Sequence, residues 1–540
     1  MGRSVKLEAF PAPVFMSIIE HLVVSIGIYK AVLLRRVNRS FNATILHAIC
    51  VSQVVDMYDP ATPHVKYDIP PSLRGAILLI RSRSPNATKQ ELPSVILSVN
   101  REIDRLTQPT EERRDEQHRI ISEAVAVGIN PFKLNYIEKG LKDIDEETHA
   151  QNLFCAAIVL GNLPLVKSML EDLALISVRV NANNLYFGPP LQIACARGHI
   201  DIVRYLLSHG ANIQEDSEDL DWNPNLRLRV FQKHVYQSPE GSPLRAALHG
   251  GHEDIANLLL EPEYRPSPTP LKMEFVESIV AAVRSGLYPF YQRLIQMTGK
   301  PLSDYPGLGG KLLREAVEYN QEGIMRMLLE KDGVDVNSVS DEATLSTRSA
   351  LYTAACMGKA HVVRVLIGYG TKLRPPHYGP CPLEGAARGG HEEAVEILLD
   401  HGEPRALAFK CAVESGQVHL AKWLVARYPS IIMEKYGRMR PINLMSMAIM
   451  NKNLDMIAFL LDAGLPLNYE YIAHSELPMV EAKTSAAEWV ANFLLTLGFK
   501  DEEIDESARP AYYSEVDITK VLSCRGVRLT KRTWNWVSKY

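Results

Sequence analysis

One sentence of about 33 residues recurs along this chain, and it constrains the fold more than any other feature. Residues 188–212 read GPPLQIACARGHIDIVRYLLSHGAN: two short apolar helices' worth of residues, a Gly-His between them and a Gly-Ala after the second. With Gly198 as anchor, an Ala lies four residues before it and a Leu-Leu pair eight and nine residues after it. The same arrangement returns around Gly161, Gly251, Gly286, Asn320, Gly358, Gly390, Gly416 and Lys452. From Gly161 onward the spacings are 37, 53, 35, 34, 38, 32, 26 and 36, with one long insertion and one deletion. A unit this short cannot bury its own apolar face, so the copies must stack.

Each recurring letter has a physical reason. Ala194 and Ala247 let paired antiparallel helices approach closely, and the anchor glycine closes the first helix in a conformation with positive φ. The Leu-Leu pair, with Ile or Val three to four residues earlier, makes the apolar stripe of the second helix. In the 188–212 copy this predicts Leu207 in the stacked interface and Arg197 in solvent. The period and the wording GPPLQIACARGHIDIVRYLLSHGANI resemble the ankyrin repeat over roughly 150–540. That resemblance implies an all-α ankyrin-repeat solenoid, helix-turn-helix units joined by finger loops. Weaker copies come after these: SAAEWVANFLLTLG around Ala486, then VDITKVLSCRG, and TKRTWNWVSKY with Thr530 as N-cap. They are read as degenerate repeats and a cap.

The first 150 residues are written differently. LEAFPAPVFMSIIEHLVVSIGIYKAVLLRRVNRSFNATILHAI (7–49) makes a helical segment that resembles a degenerate F-box, with Pro11, Ile18, Ile19, Leu22, Leu34, Val37, Arg39 and Phe41 in matching places. It departs from the pattern at Pro13, near the usual acidic residue, at Asn38 in place of Cys, and at Phe41 in place of Trp. The alternative reading is a helical cap that shields the first repeat. Residues 51–105 carry turn-rich pieces such as YDPATPH, DIPPS and RSRSPNATKQELP, and a helix is expected after Thr110, whose next two residues are Glu. The expected domains are therefore 1–50 F-box-like, 51–149 helical connector with turn-rich linkers, 150–475 about nine repeats, and 476–540 degenerate repeats and cap.

Charge and composition narrow the function. The 540 residues hold 59 basic and 63 acidic side chains, a formal charge of −4, so no general field draws in nucleic acid or anionic lipid. The N-terminus lacks the apolar run of a signal peptide, and Lys6 stands where a myristoylation signal needs Ser or Thr. No apolar stretch reaches the roughly 18 residues that span a bilayer. An intracellular protein of nucleus or cytoplasm is expected. Seven cysteines (Cys50, Cys155, Cys195, Cys356, Cys381, Cys411, Cys524) form no C-x-x-C pair and read mostly as small core residues.

Fragments that suggest an enzyme fail on spacing. GLGGKLL (307–313) has Tyr305 where a phosphate loop needs Gly and Leu312 where it needs Ser or Thr. GHEDIA and GHEEAV begin like a zinc-protease helix, but Ala256 and Val395 stand where the second His belongs, so His252 and His391 are turn residues of the repeat. No catalytic, cofactor-binding or metal site is expected. What remains is a recognition surface for proteins, with no direct nucleic-acid, membrane or small-molecule role. The resemblance implies that its concave face is presented by the two positions before each anchor: Arg197, His249, Arg284, Glu318, Tyr319, Met357, Arg388, Glu414 and Met450. The insertion 215–240 adds Trp222, Phe231 and Tyr236, since a loop that long in a compact array is either functional or disordered. Two roles compete. The whole resembles fungal multi-ankyrin proteins, some of them transcriptional co-regulators of natural-product gene clusters, which implies transcription factors as partners. The F-box resemblance implies a substrate-recruiting adaptor that docks a Skp1-type adaptor of a cullin ubiquitin ligase.

Overall fold

A computed structural model of the chain describes residues 11–35, 38–50, 71–84, 91–128, 145–171, 178–213, 241–266, 272–305, 307–339, 348–374, 381–434 and 453–465, with a few isolated positions between them. The 215–240 insertion and the 476–540 segment lie outside the described residues. Among those described the architecture is helical, and the β pairing is an isolated bridge between Asn184 and Gly188. The chain divides into two compact units, Met1–Lys300 and Pro301–Tyr540.

In the first unit, α1 (Ala12–Leu34) packs on α2 (Arg39–Cys50), and α2 on α3 (Pro71–Ser82). Phe15, Ile19, Val23, Ile45, Ile49, Leu73 and Ile77 form their shared core, and Leu22, Leu34 and Phe41 pack against it. The rings of Phe15 and Phe41 meet edge to face at 5.7 Å. Next come α4 (Glu91–Thr107) and α5 (Glu111–Gly128), which pack on each other, on α3 and on the first repeat helix. Residues 91–105 belong to a helix of 17 residues, where the sequence reading had turn-rich linkers. Pro93, the last residue of the turn-rich piece RSRSPNATKQELP, occupies the first turn, where no intrahelical N–H is lost. The helix expected after Thr110 is α5, with Glu111 and Glu112 in its first turn.

The repeats then run as helix pairs. In the first unit they are α6 (Glu146–Val159) with α7 (Leu163–Glu171), α8 (Pro190–Arg197) with α9 (Ile200–Ser208), α10 (Pro243–Gly250) with α11 (Glu253–Leu259), and α12 (Met273–Arg284) with α13 (Tyr288–Met297). In the second unit they are α14 (Leu308–Glu318) with α15 (Glu322–Glu330), α16 (Ala350–Cys356) with α17 (Ala360–Gly368), α18 (Pro382–Gly389) with α19 (Glu392–Asp400), and α20 (Arg405–Glu414) with α21 (Val418–Arg427). After them comes α22 (Leu454–Asp462), the second helix of a further copy. Within each unit the first helix of a pair packs on the first helix of the next. Helix starts obey the local chemistry: Pro190, Pro243 and Pro382 stand in the first turn, and Ser242 and Ser349 accept the backbone N–H of Arg245 and Tyr352.

Burial tracks the repeated letters. The Ala four before each anchor, from Ala157 to Ala448, is fully buried. So is the residue eight after it in most copies: Leu206, Leu259, Leu294, Leu328, Leu366, Leu398, Leu424 and Leu460. The residue nine after it is half-buried in the copies that end in Leu207, Ile295, Leu329, Ile367, Leu399 and Val425. Leu206, not Leu207, therefore fills the interface of its repeat, and the expected phase was wrong by one residue. Both are apolar, so the letters alone do not separate them. The helix turns about 100° per residue and only one of two neighbours can point directly inward.

The glycines of GLGGKLL serve packing. Gly307 caps α14 at φ 73°, and a Cβ on Gly310 would lie 2.8–2.9 Å from the backbone of Ser338 and Val339. Cys155, Cys195 and Cys411 are buried as expected of small core residues, whereas Cys356 is exposed at the end of α16. Burial pushes the Cys411 thiol up to about 12.

Candidate interaction surface

The anchor turn sets the geometry of the surface. All eight described anchors, Gly161, Gly198, Gly251, Gly286, Asn320, Gly358, Gly390 and Gly416, have left-handed backbone with φ between 62° and 77°. The amide after each anchor returns to the carbonyl of the recurring Ala at 2.8–3.1 Å, as in His199 to Ala194, Gln321 to Ala316 and Gln417 to Ala412. This closes the first helix and reverses the chain into the second. Asn320 is the one non-glycine anchor among them, a residue type that tolerates this region.

The side chain after the anchor joins successive repeats, a link that sequence reasoning missed. Nε2 of His199 donates to Val159 O at 3.3 Å, that of His252 to Ala196 O at 3.1 Å, and that of His391 to Cys356 O at 3.0 Å. Lys359 Nζ donates to Val317 O and Glu318 O at 2.6 and 2.7 Å, and Gln417 Nε2 to Arg388 O at 2.8 Å. The acceptors are the otherwise open carbonyls at the end of the preceding first helix. His252 and His391 are thus turn residues, as the sequence implied, and their Nε2 atoms are engaged. The imidazole of His199 is held below the ordinary histidine range, chiefly because it is buried. Among the described residues no group of three or more His, Cys, Asp or Glu side chains could hold a metal ion.

The positions before the anchors are not equivalent. Met357 is a large apolar side chain left 39 % exposed. Arg388 is exposed and pairs with Glu414 at 3.3 Å across two repeats. Glu318, Tyr319 and His249 are half-buried. Arg197 is half-buried, not free in solvent, and burial lowers its pKa. Arg284 is only 5 % exposed and leaves the candidate surface. It ends a helix of 12 residues in which Phe275 through Arg284 are all buried, so the position before that anchor lies inside the packing. Met450, Trp222, Phe231 and Tyr236 lie outside the described residues.

Beside Met357 in the second unit, Tyr352 carries the Arg348 guanidinium 6.0 Å from its ring centroid. The small residue Gly385 brings α18 against Tyr352 and Cys356, and a Cβ there would meet them at 3.0 and 3.3 Å. Met357, Tyr352, Arg348, Arg388 and Glu414 give this surface an apolar and aromatic part with charges of both signs. The opposite ridge, made by second helices, carries ion pairs between repeats, Arg364 with Glu393 and Arg427 with Glu396.

At the N-terminal segment, Pro11 is exposed, Ile18, Leu22, Leu34 and Phe41 are half-buried, and Ile19 is fully buried. Ile19 is therefore core and not surface. It faces the same side of α1 as Phe15 and Val23, at the spacing of one helical turn, and that side packs on α2 and α3. The exposed apolar residues of α1 are Val14 and Val24.

A family model described as ankyrin repeats (3 copies) matches residues 153–270 and 312–408. An ankyrin repeat protein of fowlpox virus, FPV115, is 25 % identical over 249 residues, 45 % of this chain and 42 % of that protein. The ankyrin repeat domain-containing protein SAT10 of the fungus Stachybotrys chartarum is 27 % identical over 217 residues, 39 % of this chain and 9 % of that protein. The chain thus spans less than half the length of these relatives. The crystal structure of the human ASB11 ankyrin repeat domain is similar over 46 % of this chain and 98 % of that one, with 23 % identity and a TM-score of 0.32. The helix pairs, the left-handed anchors and the family match agree: this chain carries ankyrin repeats in an all-α fold, the framework of a protein–protein interaction module.

Proposed function

We propose that the chain is a non-catalytic regulatory scaffold whose repeats bind protein partners, acting as a transcriptional co-regulator of a fungal natural-product gene cluster. The observation that carries the reading is irregular chemistry on a regular frame. The same two positions of successive repeats present Tyr319, Met357, Arg388 and Glu414, different in size and charge, over a wall of identical Ala and Leu contacts. Aromatic, Met and Arg side chains are the types that anchor protein interfaces. A fungal relative, the Stachybotrys protein, supports the fungal part of the proposal. The division into 1–50, 51–149, 150–475 and 476–540 belongs to the proposal, as do the insertion residues Trp222, Phe231 and Tyr236.

A second reading, an F-box adaptor of a cullin ubiquitin ligase, is favoured by Val14 and Val24, apolar side chains of α1 that are 45 % and 59 % exposed. One experiment separates the two. Partners of the intact chain are purified and identified beside those of Met357→Glu and Val24→Glu variants. Transcription factors lost in the Met357 variant support the co-regulator. A Skp1-type protein and a cullin lost in the Val24 variant support the adaptor. A partner set unchanged by Met357→Glu removes the repeat surface from the account.

A further inference from the structure

The face that carries the positions before the anchors is open at α16 and α18 and covered at α6 and α8. The residue six before an anchor and the residue two before it lie about one helical turn apart on that face. At the six-before position Arg245, Arg314, Tyr352, Glu384 and Lys410 are half-buried. In the first two repeats the same position is closed, and Cys155 and Gln192 are buried. It is also closed at Val280, in the long buried helix α12. Two before the anchor, Cys356 and Arg388 are exposed, whereas Val159 is buried and Ala196 half-buried.

The cover is this chain's own α5. Its last residue, Gly128, rests on the finger that leads into α8: a Cβ there would lie 2.6 Å from Tyr186 O and 2.9 Å from the backbone of Phe187. Further back along α5, Glu123 and Arg119 are the charges beside Arg197, at the far end of α8. The helix therefore runs along α8 from one end to the other, and it also packs on α6. This accounts for the half-burial of Arg197. Gln117, Ile121, Ala124 and Gly128, spaced by four, three and four, form one stripe of α5, the stripe that ends on the finger. Ile121 and Ala124 are buried. The fit is incomplete at Gln117, whose Oε1 is buried and has no hydrogen-bond partner among the described residues. An acceptor left in that state weakens the contact it sits in. On its other side α5 is held to α3, where Glu123 closes on Gly75.

We propose that α5 is a displaceable cover on the recognition face of the first two repeats, and that a protein partner takes its place with a helix carrying the same stripe of small and aliphatic residues. The proposal rests on the reading that the repeats bind proteins. The intact chain holds its own reporter. Cys155 lies under the cover, whereas Cys195 occupies the place three before the anchor, which stays buried even in the open repeats, at Ala355 and Ala387. The chain is treated with N-ethylmaleimide and the labelling rate of each cysteine is read by peptide mass. Gly128→Val, whose side chain has no room against Tyr186 O, is expected to speed labelling of Cys155 roughly ten-fold while Cys195 and Cys411 stay as in the parent chain. Gln117→Leu, which removes the unbonded acceptor, is expected to slow it. A fluorescent peptide of residues 111–128 is the probe for the uncovered face, and it should bind the Gly128→Val chain roughly ten-fold more tightly than the parent. If Cys155, Cys195 and Cys411 all label faster in Gly128→Val, that chain has unfolded and Gln117→Leu decides: slower labelling of Cys155 alone supports the cover, and unchanged or faster labelling overturns it. In a folded Gly128→Val chain, unchanged labelling of Cys155 or a peptide bound no better than by the parent shows a fixed structural cap and overturns the proposal. Labelling is read without any partner, so its failure leaves the test on Met357 unaffected.

Discussion

Gly198 and Gly251 hold the same place in successive repeats, yet they do different work. Both have positive φ, but a Cβ on Gly198 would meet the His252 ring at 2.5 Å, whereas a Cβ on Gly251 would meet nothing within 4 Å. Gly198→Ala is expected to cost about 2–3 kcal/mol, backbone strain plus the displaced imidazole, and Gly251→Ala about 1 kcal/mol. Equal shifts in denaturant midpoint for the two variants would contradict this. The leucine pair gives a second comparison: Leu206→Ala should cost about 2–5 kcal/mol and Leu207→Ala about 1 kcal/mol. His199 makes a pH prediction. Its folded pKa lies below the unfolded value near 6.5, so the unfolded chain binds the proton more readily. The stability from its neutral, hydrogen-bonded ring is complete above 6.5 and is lost as the pH falls through the lowered folded value. Melts from pH 7.5 to 5 should fall more steeply in the parent chain than in His199→Gln. At this scale the anchors and the buried Ala were legible, because a fixed backbone angle and a close helix contact each admit few residue types. The bond from His252 to Ala196 was not, since it joins positions 56 apart that no local pattern connects.

At the scale of elements, the helix pairs were legible from their apolar period, and α4 was not, because its first-turn proline imitates a linker. Of the cluster of α1, α2 and α3, the first two were legible as helical spacing, and α3 was not, because 51–105 reads as turn-rich and α3 begins at a proline. Ile18, Ile19 and Leu22 are all apolar, and only the packing partners show which of them is core. Leu73 and Ile77 of α3 are buried in that cluster. Deleting residues 1–50 should therefore bare an apolar strip on α3, lower the melting temperature and increase binding of a hydrophobic dye. A truncated chain with an unchanged melt would show that α1 and α2 contribute nothing to the stability of α3 and the helices beyond it. Ser242→Ala, which removes the cap of α10, should cost about 1 kcal/mol.

For the molecule as a whole, the packing is between neighbours: within each unit a first helix touches the first helix of the next repeat. Local damage should then spread by adjacency. After Leu206→Asp, hydrogen exchange is expected to rise most in α8 and α9, less in α6, α7, α10 and α11, and least in α3. Uniform acceleration through the first unit would mean that it unfolds as one cooperative block. The partners could not be read from the sequence for a physical reason. Wall residues are dictated by packing and repeat, while the exposed positions answer to a second molecule whose shape is not written in this one.

The side chain immediately after five of the anchors, His199, His252, Lys359, His391 and Gln417, belongs to one repeat but closes the helix end of the repeat before it. A repeat's boundary in sequence is therefore not its boundary in function. A cassette cut from anchor to anchor and grafted elsewhere would arrive carrying the clasp for its old upstream neighbour and lacking the one that its new downstream neighbour must provide. Exchange of repeats between such chains should succeed when the donor segment extends through the clasp of its successor, His252 for the repeat anchored at Gly198, and should fail when it stops at Gly251. Lineages that gain and lose repeats would then do so in pieces offset from the visible period, and the 26-residue spacing before Gly416 still keeps its clasp, Gln417, on Arg388.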